Sequence, residues 1–334
     1  MVPDPESVVA RLKEFQAAVR DLIVRSRAAR GLNEVRRDSA ADTIYEIDTL
    51  VEPVLEDFCR DWSRTTPLVL IAEGIESDGG AEGVKVFPEG AAEADAAIRV
   101  IVDPIDGTRG LMYDKRAAWA LAGVAPNKGP GTRLRDIEVA VMTELPTSKM
   151  GRADVLWAVK GRGARAERVD IASGDARPLP VAPSSAPGID HGFASVANFF
   201  PGTKSLAAEL MEHLARRLVG PADVTRATVF DDQYISTGGQ FYELIVGHDR
   251  FNSDLRPLFY RVQNQPEGLC CHPYDCATML IAQEAGAILT DGFGGPLDGP
   301  LDVTTGLSWA GYANETLRRK IEPVMAEFLR ERGA

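Results

Sequence analysis

Asp103-Pro104-Ile105-Asp106-Gly107-Thr108 sets two carboxylates, an imino acid, a glycine and a hydroxyl in six consecutive positions, directly after the apolar run 97–102. Pro104 fixes the backbone between the two acids. Gly107 and Thr108 can open a helix whose first N–H groups lack intrahelical partners. Carboxylates suit a hard cation, and free amides suit an anion. Brought to one corner, they point to metal-assisted chemistry on a phosphate.

Two further acids stand in comparable places. Glu73 follows the apolar run 67–72, which reads as a buried strand, as Asp103 follows its own strand. Both therefore emerge at a strand's C-terminal edge, where open α/β sheets build their sites. Asp275 opens a helix expected over 274–285, ahead of Gln283-Glu284-Ala285-Gly286. Carboxylates gathered closely repel, so they share protons or bind cations, and oxygen-only ligands suit Mg²⁺ or Mn²⁺ rather than zinc. Each acid alone has a plainer reading: Asp-Pro-x-Asp-Gly is turn chemistry, Asp275 can cap a helix, and Glu73 can be an exposed loop acid. Their joint occurrence favours the chemical reading.

The elements that must hold these residues follow from periodicity. Residues 7–30 carry Val8, Val9, Leu12, Phe15, Val19, Leu22 and Ile23 at helical spacing, with Gly31 as the stop. A second helix is expected over 49–62, and strands over 119–124, 137–145 and 155–159, with a hairpin turn at Gly161-Arg162-Gly163. Pro, Ala and Ser dominate 178–188, the best linker. Beyond it, a strand at 193–196, a helix at 205–219, an apolar run at 241–246, a strand at 287–290 and a closing helix at 314–329 capped by Asn314 are expected. Strands interleaved with helices imply a layered α/β or α+β fold. The chain divides into an N-terminal α+β region, 1–185, with most of the acids, and a C-terminal α/β region, 186–334, supplying Asp275.

At 334 residues, 45% hydrophobic and 26% charged, the chain can bury a large core. A formal charge of −12 argues against nucleic acid or an anionic membrane as partner. Bound cations can still reverse the field locally for an anionic substrate. No apolar run approaches the ~20 residues of a membrane span, and the start Met1-Val2-Pro3-Asp4-Pro5-Glu6 has neither the basic beginning nor the apolar core expected of a signal peptide. The cluster Cys270-Cys271-His272-Pro273-Tyr274-Asp275-Cys276 lacks paired C-x2-C spacing and a second half, so reduced, buried thiols and a cytoplasmic location are expected.

The hexapeptide resembles the signature of the inositol monophosphatase family, part of a lithium-sensitive, Mg²⁺-dependent phosphatase superfamily that includes fructose-1,6-bisphosphatase. The family's second signature resembles Tyr274-Asp275-Cys276-Ala277 with Glu284-Ala285-Gly286-Ala287. Residues 42–52, 157–164 and 238–249 are similar to its N-terminal segment, its mid-chain hairpin and the segment beside its polyol pocket. The resemblance implies an αβαβα layered sandwich, a homodimer, and a small phosphate ester as substrate. It further implies that Glu73, Asp103 and the Ile105 carbonyl hold one Mg²⁺, and that Asp103, Asp106 and Asp275 hold a second. Mn²⁺ is an alternative, and two or three ions are expected. Asp48 with Thr108, and Glu73, would serve catalysis; the Gly107 and Thr108 amides would take the phosphate; Asp106, Gly238, Gly239, Glu267 and Asp275 would contact the rest of the substrate.

The chain departs from the family pattern in three places. Glu73 is followed by Gly74 instead of a second glutamate, which weakens a third cation site unless Glu76 substitutes. Arg109-Gly110-Leu111 replaces the common x-Asn-Phe, and Arg109 reads as a solvated charge, with a second anion contact as its alternative. Glu73-Gly74 and the run Gly107-Thr108-Arg109 are also similar to class II fructose-1,6-bisphosphatases, but the C-terminal half resembles the inositol monophosphatase pattern. Extra residues fall at 85–96, 126–135 and 252–265, the last just before Glu267. The expectation is a Mg²⁺-dependent phosphomonoesterase for a small polyol or sugar phosphate. A bisphosphatase for fructose 1,6-bisphosphate or a 3′-phosphonucleotide, and a metal-dependent phosphate-binding protein without turnover, are its alternatives.

Overall fold

The computed structural model describes residues 1–26, 34–38, 43–75, 81–223 and 225–334. Its central element is the parallel pair β3 (Leu68–Ala72) and β5 (Ile98–Asp106), in which Ala72 pairs with Val102. Every residue of β3 is buried, as expected of a strand covered on both faces. Because 72 and 102 are in register, Glu73 leaves the end of β3 beside Asp103 of β5.

Around this pair an eight-stranded sheet extends in the order β10-β9-β8-β7-β6-β5-β3-β4. The added strands are β4 (Val84–Phe87), β6 (Ala118–Pro126), β7 (Val139–Leu145), β8 (Arg152–Val159), β9 (Ala164–Asp170) and β10 (Ala176–Pro178), all antiparallel to their neighbours. One face of the sheet packs on α1 (Pro5–Ser26) and α3 (Glu52–Ser63), through Leu12, Phe15, Leu55 and Trp62 against Leu70, Val100 and Val141. The other face packs on α6 (Thr237–Ile245) and α8 (Met279–Ala285), through Phe241 and Ile281 against Ile71, Leu121 and Met142.

A second sheet, β11-β12-β14-β13, lies beyond α6 and α8. It comprises β11 (Phe193–Val196), β12 (Asp249–Asp254), β14 (Trp309–Tyr312) and β13 (Ile288–Thr290). Its far side is closed by α5 (Lys204–Leu218) and α9 (Glu315–Glu331). The layers thus run αβαβα, as the family resemblance implied. The Asn314 side chain accepts from Leu317 N at 3.0 Å and starts α9 where the sequence placed its cap.

Several boundaries differ from the sequence reading. α1 is described to Ser26, so its expected stop at Gly31 lies outside the described residues, as does Glu76. The helix expected over 49–62 divides into α2 (Glu46–Thr49) and α3. The helix expected over 274–285 begins only at Met279. Before it, Cys276 N, Ala277 N and Met279 N each bond a carbonyl three residues back, which winds 273–278 into tight turns. Residues 252–265, taken as an insertion, include the end of β12 and the helix α7 (Arg256–Val262). Apolar 241–246 falls largely in α6.

Candidate active site

In a regular strand, residues three apart point to opposite faces. Asp103 and Asp106 escape this because β5 bulges: Asp103 faces Leu121 and Asp106 faces Trp119, so three steps on β5 match two on β6. Pro104, with no N–H to give the ladder, sits inside the bulge. Ile105 N donates to Asp103 Oδ1 at 3.0 Å, which closes the turn and fixes the first carboxylate.

Asp275 comes from the tight turns ahead of α8. Its Oδ2 accepts from His272 N at 2.6 Å. That segment lies hard against the large sheet at Gly123, where a Cβ would stand 2.5 Å from the Ala277 carbonyl oxygen. Carboxylate oxygens of Asp103, Asp106 and Asp275 consequently lie within 4.8 Å of one another. Asp103 and Asp106 are buried.

Such packing of acids carries an electrostatic cost. Burial, then the charges of Asp106, Asp275 and Glu73, hold the Asp103 carboxyl well above the usual carboxylate range. Burial and the Asp106 charge do the same to Asp275. Burial pushes Asp106 up to about 7, although three hydrogen bonds oppose it. Those bonds come from the N-terminus of α6: Ser236 Oγ at 2.8 Å and Gly238 N at 2.5 Å to Oδ2, and Thr237 N at 3.3 Å to Oδ1. An all-oxygen set of this kind, three acids wide and short of compensating protons, fits hard divalent cations.

A cleft of roughly 580 Å³ opens over the cluster, lined by Glu73, Asp103, Ile105, Asp106, Gly107, Thr108 and Asp275. Beside it, a second cavity holds Asp48 together with Glu73, Asp103, Ile105 and Thr108. Thr108 Oγ1 stands 3.0 Å from Asp48 Oδ1 and 2.7 Å from the Ile105 carbonyl. Asp48 Oδ2 accepts from Tyr45 N at 2.8 Å, which ties this acid to the start of α2. Gly107 and Thr108 begin α4 (Thr108–Met112) at the cleft wall.

Three residues expected at the substrate stand elsewhere. Gly238 spends its N–H on Asp106, and Gly239 N donates to Ser236 Oγ at 2.8 Å, so both orient the cluster from behind. Glu267 is exposed, sits over Gly306 and near Cys270 Sγ, and is not among the cleft-lining residues. Arg109 departs from the solvated charge expected of it. It is half-buried in the cleft wall, its guanidinium carbon 5.1 Å from the Phe200 ring centre and 5.7 Å from that of Tyr45.

The sequence reading missed Ser236, Phe199, Phe200 and Arg256, all of which line the cleft. Ser236 was findable as the N-cap of a helix containing two glycines. The signal for Arg256 was the Asp254-x-Arg256 spacing just ahead of the apolar run 257–260.

No family model matches the chain. A curated protein of Methanothermobacter thermautotrophicus, named fructose-1,6-bisphosphatase/inositol-1-monophosphatase, is 24% identical over 273 residues, 78% of this chain and 83% of its own. Leishmania major fructose-1,6-bisphosphatase shares the fold with a TM-score of 0.69 at 14% identity, over 99% of this chain and 96% of that one. Inositol monophosphatase from Anabaena gives a TM-score of 0.61 at 13% identity, over 98% and 97% of the two chains. The chain is thus similar in fold to fructose-1,6-bisphosphatases and inositol monophosphatases, and the curated relative it resembles in sequence bears both names.

Proposed function

We propose that the protein is a Mg²⁺-dependent phosphomonoesterase that hydrolyses a small polyol or sugar phosphate with an activated water. The observation that carries this reading is the convergence of Asp103, Asp106 and Asp275 within 4.8 Å, beside the Asp48–Thr108 pair. Glu73, Asp103 and the Ile105 carbonyl, and Asp103, Asp106 and Asp275, would hold the cations. Bound there, divalent cations would polarise the phosphoryl oxygens and acidify a nearby water.

The chain's own groups supply the rest. Thr108 Oγ1 can pass its proton to Asp48 Oδ1 while accepting one from the attacking water, a relay that suits general-base catalysis. Gly107 and Thr108, at the first turn of α4, offer amides to the phosphate. The start of α6, Ser236 to Gly238, holds Asp106 in one orientation through three bonds. A homodimer in the cytoplasm completes the proposal; the four free, buried cysteines support the reducing compartment. Among the described residues no helix is long and apolar enough to cross a membrane.

Phosphate release with Mg²⁺ is the direct test, over inositol phosphates, sugar monophosphates and fructose 1,6-bisphosphate; the last is included because the relatives' names span both substrate kinds. Hydrolysis that EDTA abolishes is expected. Full activity in Asp103→Asn would overturn the mechanism.

A further inference from the structure

Arg256, the first residue of α7, lines the same cleft as the acids. It is only 5% exposed, and Asp254 beside it is fully buried. Nε donates to Asp254 Oδ1 and Oδ2 at 2.9 and 3.0 Å, Nη2 to Asp254 Oδ2 at 2.5 Å, and Nη1 to the Leu269 carbonyl at 3.1 Å. A guanidinium carries five N–H bonds. One on Nη1 and one on Nη2 therefore have no acceptor among the described residues. Buried donors left unmatched are costly, most of all on a charged group, so an occupant of the cleft that brings acceptors gains at this point.

The surroundings of Arg256 select that occupant. Its guanidinium carbon is 5.4 Å from the Phe199 ring centre and 5.6 Å from that of Phe200. Arg109 approaches the same Phe200 ring at 5.1 Å. Two guanidinium groups thus meet around one phenyl wall, which thins the water near them and strengthens any hydrogen bond they make. The acids and their cations suffice for one phosphoryl group. A substrate whose only charge is that phosphate leaves the two remaining N–H bonds of Arg256 unused.

Resting on the phosphatase reading, we infer that the alcohol half of the substrate carries a second oxyanion, a carboxylate or another phosphate, that Arg256 receives with Arg109 beside it. Asp254 acts as the positioning residue, holding the guanidinium with its two remaining N–H bonds toward the cleft. The competing role is structural: Arg256 holds the Leu269 carbonyl and its charge favours ionised Asp275. That role affects every substrate equally.

The test is calorimetric binding and phosphate release by the full chain with Mg²⁺. The probes are 3-phosphoglycerate (a carboxylate), fructose 1,6-bisphosphate (a second phosphate) and glycerol 2-phosphate (neither). Wild type is expected to bind one of the first two roughly ten- to a hundredfold more tightly than glycerol 2-phosphate, and the better of the two identifies the oxyanion. Arg256→Gln should erase most of that preference, and Arg256→Lys should restore part of it. Asp254→Asn with Arg256→Gln removes both buried charges together and serves if the single variant does not fold. Equal losses on all three probes, or no preference in wild type, overturn the inference. Arg256-dependent binding without phosphate release supports it and overturns the phosphatase reading instead.

Discussion

Thr108 Oγ1 lies 3.0 Å from Asp48 Oδ1, joining groups 60 residues apart in the chain. One comes from the start of α4 and the other from the short helix α2. A relay of this kind acts as a unit. Asp48→Asn and Thr108→Val should each lower kcat by about two orders of magnitude or more with little change in KM. The double variant should fall no further than the worse single one. Additive losses in steady-state kinetics would show that the two residues act separately.

Buried acids that repel one another make the metal-free protein less stable than it need be. Asp103→Asn removes one of these charges, so its melting temperature in EDTA should rise above that of wild type. Mg²⁺ should then stabilise wild type, by about 2.7 kcal/mol at a hundredfold excess over Kd, and stabilise the variant far less. Differential scanning calorimetry with and without Mg²⁺ checks both signs. An unchanged Mg²⁺ response in the variant would remove Asp103 from the cation site.

Away from the cleft, Glu144 lines a cavity with Trp119, Tyr234 and Tyr242. Burial, with the Asp154 charge adding, pushes its carboxyl up from 4.5 to about 7 in the folded protein. A folded value above the unfolded one means stability is fully present below about pH 4.5 and is lost as pH rises through about 7. The loss is on the order of 3 kcal/mol. Glu144→Gln keeps an acceptor for Asp154 N and cannot ionise. Relative to wild type it should gain stability between pH 5 and pH 8 in urea titrations. A difference independent of pH would refute the assignment.

Gly238 donates to Asp106 from a position with no room for a side chain. A Cβ there would stand 2.5 Å from Leu121 Cδ2 and 2.9 Å from Asp106 Oδ2. Gly238→Ala should therefore cost about 1–3 kcal/mol of stability and displace the first turn of α6, which aims Asp106. Activity should fall more steeply than the fraction folded, which circular dichroism and turnover measured on the same sample will separate.

What was legible in the sequence was what elementary patterning encodes. The all-apolar run of β3, the acids that follow β3 and sit in β5, the Asn314 cap and the hexapeptide each express a local rule. The region 249–262 was not legible, because Asn252, Ser253, Asp254 and Arg256 are buried polar residues. Hydrophobic periodicity cannot reveal a strand and helix whose interior is held by an ion pair. α6 was hidden for a related reason: Gly238 and Gly239 depress helix propensity, yet they are needed where Asp106 and Tyr234 press against the backbone. Of the site, the acids and the hydroxyl were readable from type and order. The arginines and phenylalanines were not, since only the fold brings residues 109, 199, 200 and 256 together.

Ile105 divides two duties between its atoms. The side chain is 4% exposed in the core beneath the sheet, while the carbonyl, freed from the ladder by the bulge, accepts from Thr108 Oγ1. A main-chain oxygen is the one contact here that no point mutation can delete. Drift at position 105 is therefore constrained only by volume, and exchanges such as Ile105→Val or Ile105→Leu should be invisible to the chemistry. Inserting or removing one residue between Asp103 and Asp106 should silence it.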